Sequence, residues 1–343
     1  MRIVRRWGWL LWLAAPVLLW FSLREISFAG LEGLLQRISP WQAVVLLGVN
    51  SWILILGAHR WQLALTAVGY EVSLMRILMI RLAGFGMSYF TPGPQIGGEP
   101  LQVMLLQRRE RVPAMDGAAS VYADRLVDGL VNFSFIVLGL VWVSTNGLIV
   151  LEGRLVGNGI QTALWGYLAP LILIPAIHLY LLRRGFKPLT RFLVRMKGIT
   201  GWGFWGGVIQ LVNDAETQLE GICRDRPVAL VKMVLVSCVG WLFMVIEFHW
   251  LLTILGSTNN LMQMIGLLTT MRLAFYLPVP AGLGALEAAL VFGGPAFGVT
   301  PETGLAASVM IRGRDISLGV VGLLFGGWAL KQQSEDTRIA VKE

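Results

Sequence analysis

Glu99, Asp124, Arg125, Asp128, Glu287, Arg312, Arg314 and Asp315 are ionisable residues set in otherwise apolar sequence, and their spacing repeats. Arg125 and Asp128 are three positions apart and Asp124 and Asp128 four, so on a helix all three project from adjacent positions. Arg312 and Asp315 keep the same three-residue spacing, with Arg314 between them. At the centre of a bilayer each uncompensated charge costs about 2.5–3.5 kcal/mol on insertion scales, so such residues must pair with one another or face water. With Arg81 and Arg272, five arginines converge on one zone. The guanidinium is the side chain best shaped for a two-pronged grip on phosphate or carboxylate.

Two stretches around these residues read as one motif written twice. Arg81-Leu82-Ala83 leads into Thr91-Pro92-Gly93-Pro94-Gln95-Ile96-Gly97-Gly98-Glu99, and Arg272-Leu273-Ala274 leads into Leu277-Pro278-Val279-Pro280-Ala281-Gly282-Leu283-Gly284-Ala285-Leu286-Glu287. Ala118-Ala119-Ser120-Val121 and Ala306-Ala307-Ser308-Val309 extend the match. Glu99 to Glu287 and Ser120 to Ser308 are both 188 positions (287 − 99 and 308 − 120), a register that argues for an internal structural repeat. Pro100 suits a first helical position, which puts Glu99 at an N-cap, where free backbone donors and the helix dipole favour an anion. Gly97 and Gly98 allow a tight turn and a close approach to the backbone. For Glu287, Gly284 and Ala285 equally well start the helix and leave the glutamate in its first turn, facing an arginine of a neighbouring helix. At both sites a capped hairpin and a ligand-binding hairpin remain open readings.

These residues need a membrane around them. The chain has 56% hydrophobic and 14% charged residues and a mean hydropathy of +0.68, too apolar for a water-soluble domain of this size. At roughly 20 apolar residues per crossing, six spans are expected, at about 7–23, 41–59, 115–143, 160–182, 229–255 and 303–330. The motifs lie in two further apolar stretches, 73–107 and 261–298, broken midway by Pro and Gly. The expected fold is all-α and polytopic: a single transmembrane domain over 1–343, with about six full helices and two re-entrant helical hairpins in an inverted repeat. The first repeat covers 41–143 and the second 229–330. Transporters with such repeats bind substrate near the bilayer midplane, where their broken helices meet.

Lys and Arg in short loops favour the cytoplasm. An inside N-terminus places Arg2, Arg5, Arg6, Arg60, Arg108, Arg109, Arg111 and the basic residues of 183–226 inside, and leaves Arg24, Arg37 and Arg154 outside. Residues 60–72 and 108–113 then bring both ends of the first hairpin to the inside, whereas the flanks of the second carry no Lys or Arg and return it to the outside. Both termini are expected in the cytoplasm of a prokaryotic plasma membrane, with the N-terminal apolar run as an uncleaved anchor. The net charge of +8 is this orientation signal, and no nucleic-acid surface is expected. Between the repeats, 183–227 reads as a basic amphipathic connection on the inner leaflet, with Phe186, Leu189, Phe192, Leu193 and Met196 among Lys187, Arg191, Arg195 and Lys197. Glu247 and His249 are also mid-span, and Glu247 is expected to partner an arginine. Cys223 and Cys238, 15 apart (238 − 223), suggest neither a disulfide nor a metal site, and no metal or other cofactor is expected.

The hairpin ending in Gly97-Gly98-Glu99, the helix bearing Asp124-Arg125 and Asp128, and the second hairpin Pro278-Val279-Pro280-Ala281-Gly282-Leu283-Gly284-Ala285-Leu286-Glu287 resemble the lysylphosphatidylglycerol synthase transmembrane-region family of flippase-like proteins. The likeness runs from about residue 5 to 330. It implies movement of amphiphilic lipids across or out of the bilayer, and it carries Glu99, Arg125, Asp128, Glu287 and Arg312 over as motif positions. No soluble aminoacyltransferase domain is expected after Glu343, unlike in the bifunctional members. The expected function is therefore lipid transport through a midplane cavity lined by Arg125 and Arg312, with membrane lipids as substrate. The alternatives are an intramembrane lipid-modifying enzyme, for which no HExxH or GxSxG motif is found, and a scaffold for lipid- or glycan-synthesis enzymes. The absence of a P-loop argues against direct ATP hydrolysis.

Overall fold

The structure, a computed structural model, describes residues 38–90, 98–145, 150–151, 154–155, 158–200, 205–275 and 283–340, with Gly33 and Gln36. Eleven long helices follow one another among them: α1 Pro40–Val68, α2 Leu74–Phe90, α3 Gly98–Glu110, α4 Ala114–Thr145, α5 Asn158–Arg183, α6 Pro188–Thr200, α7 Trp205–Asp225, α8 Pro227–Ile254, α9 Leu261–Phe275, α10 Ala285–Gly293 and α11 Pro301–Ala340. A 3₁₀ turn, Gly294–Phe297, follows α10, and a two-residue ladder pairs Val150–Leu151 with Arg154–Leu155. The expected span at 7–23 lies outside the described residues, as do Gly97, Gly282 and the paired prolines of both motifs.

Helix starts show why the repeat register held. α1, α2, α3 and α4 begin at 40, 74, 98 and 114, and α8, α9, α10 and α11 begin at 227, 261, 285 and 301. Each pair differs by 187 (227 − 40, 261 − 74, 285 − 98, 301 − 114). The punctuation is repeated too. Pro40 and Pro227 open equivalent helices, where a missing N–H costs nothing. Gly69 and Gly256, again 187 apart, close them at φ 105° and 82°. In each a backward hydrogen bond, Tyr70 N–H to the Leu65 carbonyl and Ser257 N–H to the Leu252 carbonyl, satisfies a terminal acceptor.

Equivalent helices run antiparallel. Arg60, late in α1, reaches Ser237 in α8, while Asn50, a turn and more before the middle of α1, reaches Glu247 late in α8. An operation that maps one half onto the other therefore reverses the helix direction, as in inverted-topology repeats. The halves also exchange contacts: α2 packs along α11, and α9 packs along α4. α2 and α11 are pressed together at glycines, since a methyl on Gly322 would overlap the Leu82 carbonyl and one on Gly86 the Gly319 carbonyl. Each repeat has its own apolar core. Trp61, Leu65, Ile77, Leu105 and Leu106 centre the first, and Leu252, Leu267, Leu268, Leu286 and Leu290 the second.

The surface is inverted relative to a protein in water. Trp41, Leu138, Ile174, Val228 and Leu324 are more than 60% exposed, whereas Asp124, Arg60 and Glu287 are at most 5% exposed. Apolar outside and ionic inside is the arrangement that hydrocarbon selects. Pro40–Val68, Ala114–Trp142 and Pro227–Ile254 are long and apolar enough to cross a bilayer on their own. α5 covers the expected 160–182 span, and α11 covers 303–330 but carries Arg312, Arg314 and Asp315 within it. The chain is an all-α, multi-pass membrane protein.

One expectation is corrected. Arg60 is not a cytoplasmic loop charge: α1 continues to Val68, and Arg60 is 3% exposed inside it. Hydropathy ended the span at the first charge, whereas the helix ends at the left-handed glycine Gly69. The basic flank assigned to 60–72 thereby loses its basic residue. Within the 183–227 connection two helices, α6 and α7, fold on each other. The buried carboxylate of Glu216 accepts hydrogen bonds from the Leu189 and Thr190 backbone amides, at 3.0 and 2.9 Å, and from the Thr190 hydroxyl, at 2.6 Å. It caps α6 from across the hairpin.

Candidate functional site

Polar side chains meet where the two repeats meet. In the first half, Arg60 of α1 donates through Nε to Asp124 Oδ1 at 2.7 Å, and through Nη1 to Asp128 Oδ1 at 2.5 Å and to Ser237 Oγ at 2.8 Å. Arg81 of α2 holds the other Asp124 oxygen at 2.9 Å. Arg125 of α4 pairs with Glu99 of α3 at 3.2 Å. In the second half, Arg312 of α11 grips Glu287 of α10 with two bonds, at 2.8 and 3.2 Å. Arg314 Nη1 donates to Glu247 Oε1 at 2.6 Å, and Arg314 Nη2 lies 2.8 Å from Asp315 Oδ1.

The repeat orders these pairs. Glu99–Arg125 and Glu287–Arg312 are equivalent bonds between a hairpin's second helix and the helix that follows it, offset by 188 and 187 positions (287 − 99 and 312 − 125). Arg60 and Glu247 occupy equivalent positions, 187 apart (247 − 60), with opposite charge. Their partners are opposite too, two aspartates for Arg60 and an arginine for Glu247. Asn50 and Ser237 are also 187 apart (237 − 50), and each hydrogen-bonds the other half's mid-span charge. Arg272 of α9 has no matching charge at its equivalent position, Phe85. It lies over the Trp241 ring, 4.8 Å from its centroid, with its guanidinium against the Met244 sulfur, and Trp241 stacks on Phe135. As a set, Arg60, Arg81, Arg125, Arg272, Arg312 and Arg314 balance Glu99, Asp124, Asp128, Glu247, Glu287 and Asp315.

A cavity of about 480 Å³ opens among these residues. Arg125, Asp128 and Asn132 of α4, Asn50 of α1, Glu247 of α8, Arg272 of α9, and Arg314 and Asp315 of α11 supply its polar wall, while Phe85, Phe248, Phe275, Leu268 and Leu318 supply apolar surface. Of the five arginines expected to converge, Arg125, Arg272 and Arg314 line it. Arg81 and Arg312 stay out of the lining on Asp124 and Glu287, which do not line it either, whereas Glu99, also outside the lining, pairs with the lining residue Arg125. The expected pairing of Arg125 with Arg312 as lining residues is thus half met.

The glycines position the hairpins. Gly98 donates its N–H to Ser88 Oγ at 2.9 Å, and a Cβ there would strike the Gly84 carbonyl, so it lets α3 lie against α2. Glu99 is inside the first turn of α3 and not at an N-cap, its carboxylate turned to Arg125. Gly284, at φ 76°, caps α10 and leaves Glu287 in the first turn. Arg60, Asn50, Asn132 and Ser237 were absent from the sequence-based site. The visible signal was their position: a polar residue at 50 and at 60, with polar residues 187 further on in each case.

A family model described as "Lysylphosphatidylglycerol synthase TM region" matches residues 9–323. Two proteins of Methanothermobacter thermautotrophicus, each named "UPF0104 membrane protein", are similar along most of their length. One is 24% identical over 301 residues, covering 82% of this chain and 83% of the relative. The other is 26% identical over 296 residues, covering 83% of each. No solved structure matches.

Proposed function

The chain belongs to the lysylphosphatidylglycerol synthase TM region family, and from that premise we propose that it is a transporter moving a charged-headgroup lipid across a prokaryotic plasma membrane. The carrying observation is the charged cavity, built from both inverted halves and framed by apolar helices. In this reading the headgroup enters the cavity while the acyl chains stay in the bilayer. Arg125, Arg272 and Arg314 offer donors to a headgroup phosphate. Asp128, Glu247 and Asp315 keep the empty site neutral, so that a headgroup exchanges one partner for another and no charge is left bare in a medium of low polarity.

The two equivalent hairpin pairs act as gates. The Glu99 and Arg125 side chains are 30% and 42% exposed, and those of Glu287 and Arg312 only 7% and 10%. One gate is therefore loose and the other sealed, as a carrier open to one side requires. In the proposed orientation the basic α6–α7 hairpin lies on the cytoplasmic surface.

The test is headgroup redistribution in proteoliposomes prepared from the source organism's lipids, read with a membrane-impermeant reagent. Protein-dependent movement of one lipid class, lost in Glu99→Gln and Arg125→Ala, is the expected result. No movement of any class from folded protein under an imposed ion gradient sinks the proposal.

A further inference from the structure

A second cavity of about 420 Å³ opens on the outer face of the bundle, away from the central one, between the start of α2, the end of α3 and residues 325–329 of α11. Its existence follows from the α2–α11 seam. Along Leu82–Phe90 and Gly319–Gly326 the helices are held close by Gly86, Gly319, Gly322 and Gly326. Beyond Gly326 the next step of the glycine spacing falls on Ala329, beside the large exposed Trp328, and on α2 the facing positions are Met75 and Met79. Methionines take the place of Ala83 and Gly86 on α2, Trp328 stands beside the seam on α11, and a groove opens between them.

The groove has the two chemistries of a phospholipid. Met75 and Trp328, 61% and 53% exposed, present apolar surface outward. At one end stand Arg76 and Arg109. Arg109 lies near the Trp328 ring, 5.4 Å from its centroid, and donates to the Ala329 carbonyl. Arg76 is 66% exposed and bonds Glu110 at 2.9 Å. Two guanidiniums against one carboxylate leave a positive excess, and exposed Arg108 and Arg111 adjoin it. All of these lie where α2 starts and α3 ends, at one end of the bundle.

We infer that this groove binds an anionic phospholipid of the surrounding leaflet, its phosphate between Arg76 and Arg109 and an acyl chain along Met75, Met79 and Trp328. Charge complementarity selects the headgroup, because a guanidinium pair holds a phosphate in a fixed geometry. The site does not depend on transport, and it is separated from the central cavity by the packed α2–α11 seam. A lipid held there would bridge the first repeat's hairpin to the last helix of the second.

The experiment uses the full chain in nanodiscs carrying a trace of diazirine-acyl phosphatidylglycerol, with labelled peptides mapped by mass spectrometry. Labelling of the α2 and α11 segments, competed by unlabelled phosphatidylglycerol at least fivefold better than by phosphatidylcholine, is expected. Arg76→Gln, at an exposed position, should lower that labelling severalfold at unchanged thermal unfolding. Met79→Trp, which fills the groove and keeps both arginines, should lower it as well. Equal competition by the two lipids overturns the inference, as does labelling that survives Arg76→Gln in folded protein.

Discussion

Glu287 and Arg312 form the tightest of the ionic contacts between a hairpin and its neighbouring helix, and both are nearly closed to their surroundings. Removing one member strands the other, which for a buried pair costs about 3–5 kcal/mol. Arg312→Ala is therefore expected to lower the unfolding midpoint sharply, whereas Arg125→Ala, whose partner Glu99 is 30% exposed, should shift it far less and act on transport; thermal unfolding in detergent separates the two. A second residue-scale expectation concerns Arg111, the positive-φ residue other than glycine among those described, at φ 56°. Its equivalent 187 positions on is Gly298, at φ 77°. The left-handed region costs a side-chain-bearing residue about 1–2 kcal/mol. Arg111→Gly should then raise or hold stability and Gly298→Ala should lower it. The reverse order would show that the Arg111 side chain contributes more than its backbone costs.

Polar clasps tie elements to the bundle. α6 carries basic and apolar residues on a short helix that could not hold itself in place. Glu216 of α7 binds it by satisfying the amides that every helix start leaves without partners. The same carboxylate lies 3.5 Å from His178 Nε2 in α5, and the His178 ring meets the Tyr122 hydroxyl of α4 at 2.8 Å. Glu216→Ala leaves buried donors unpaired, a penalty of about 1–3 kcal/mol. Faster hydrogen exchange confined to 188–200 is the expected readout; unchanged exchange there would mean that apolar packing alone docks the helix. Near this clasp, Cys223 is buried and its thiol is pushed up to about 11 by burial, so at neutral pH it should react slowly with maleimides.

At the scale of the whole molecule, the proposed transport cycle turns on the unequal exposure of the two hairpin pairs. Inverted repeats with identical connectivity can exchange their conformations, so on that proposal the state with Glu99–Arg125 exposed has a counterpart with Glu287–Arg312 exposed. In Cys238→Ser protein, cysteines placed singly at 99 and 287 should differ in labelling by an impermeant maleimide, 99 fast and 287 slow. Addition of the transported lipid should narrow that difference. Rates that are equal from the outset, or that never respond to any lipid, would reduce the pairs to static braces.

Much of this was present in the chain before folding. Composition alone demanded a membrane, and the twin Pro/Gly motifs, with a glutamate and then a serine each recurring 188 positions on, exposed a repeat, because each half must bury the same kind of broken hairpin. The mid-span charges had to be paired, because hydrocarbon leaves them no other partner. What the sequence could not assign was which charge meets which. Arg60 looked like the edge of a loop, since hydropathy stops at a charge whereas a helix stops at a backbone conformation, here Gly69. Arg312 looked like a cavity residue and is sealed on Glu287, while Asn50 and Glu247 line the cavity through contacts that cross between antiparallel α1 and α8. Those contacts join positions 197 and 177 residues apart. Local pattern reports what each residue requires, and only the packing of the two inverted halves decides which residue supplies it.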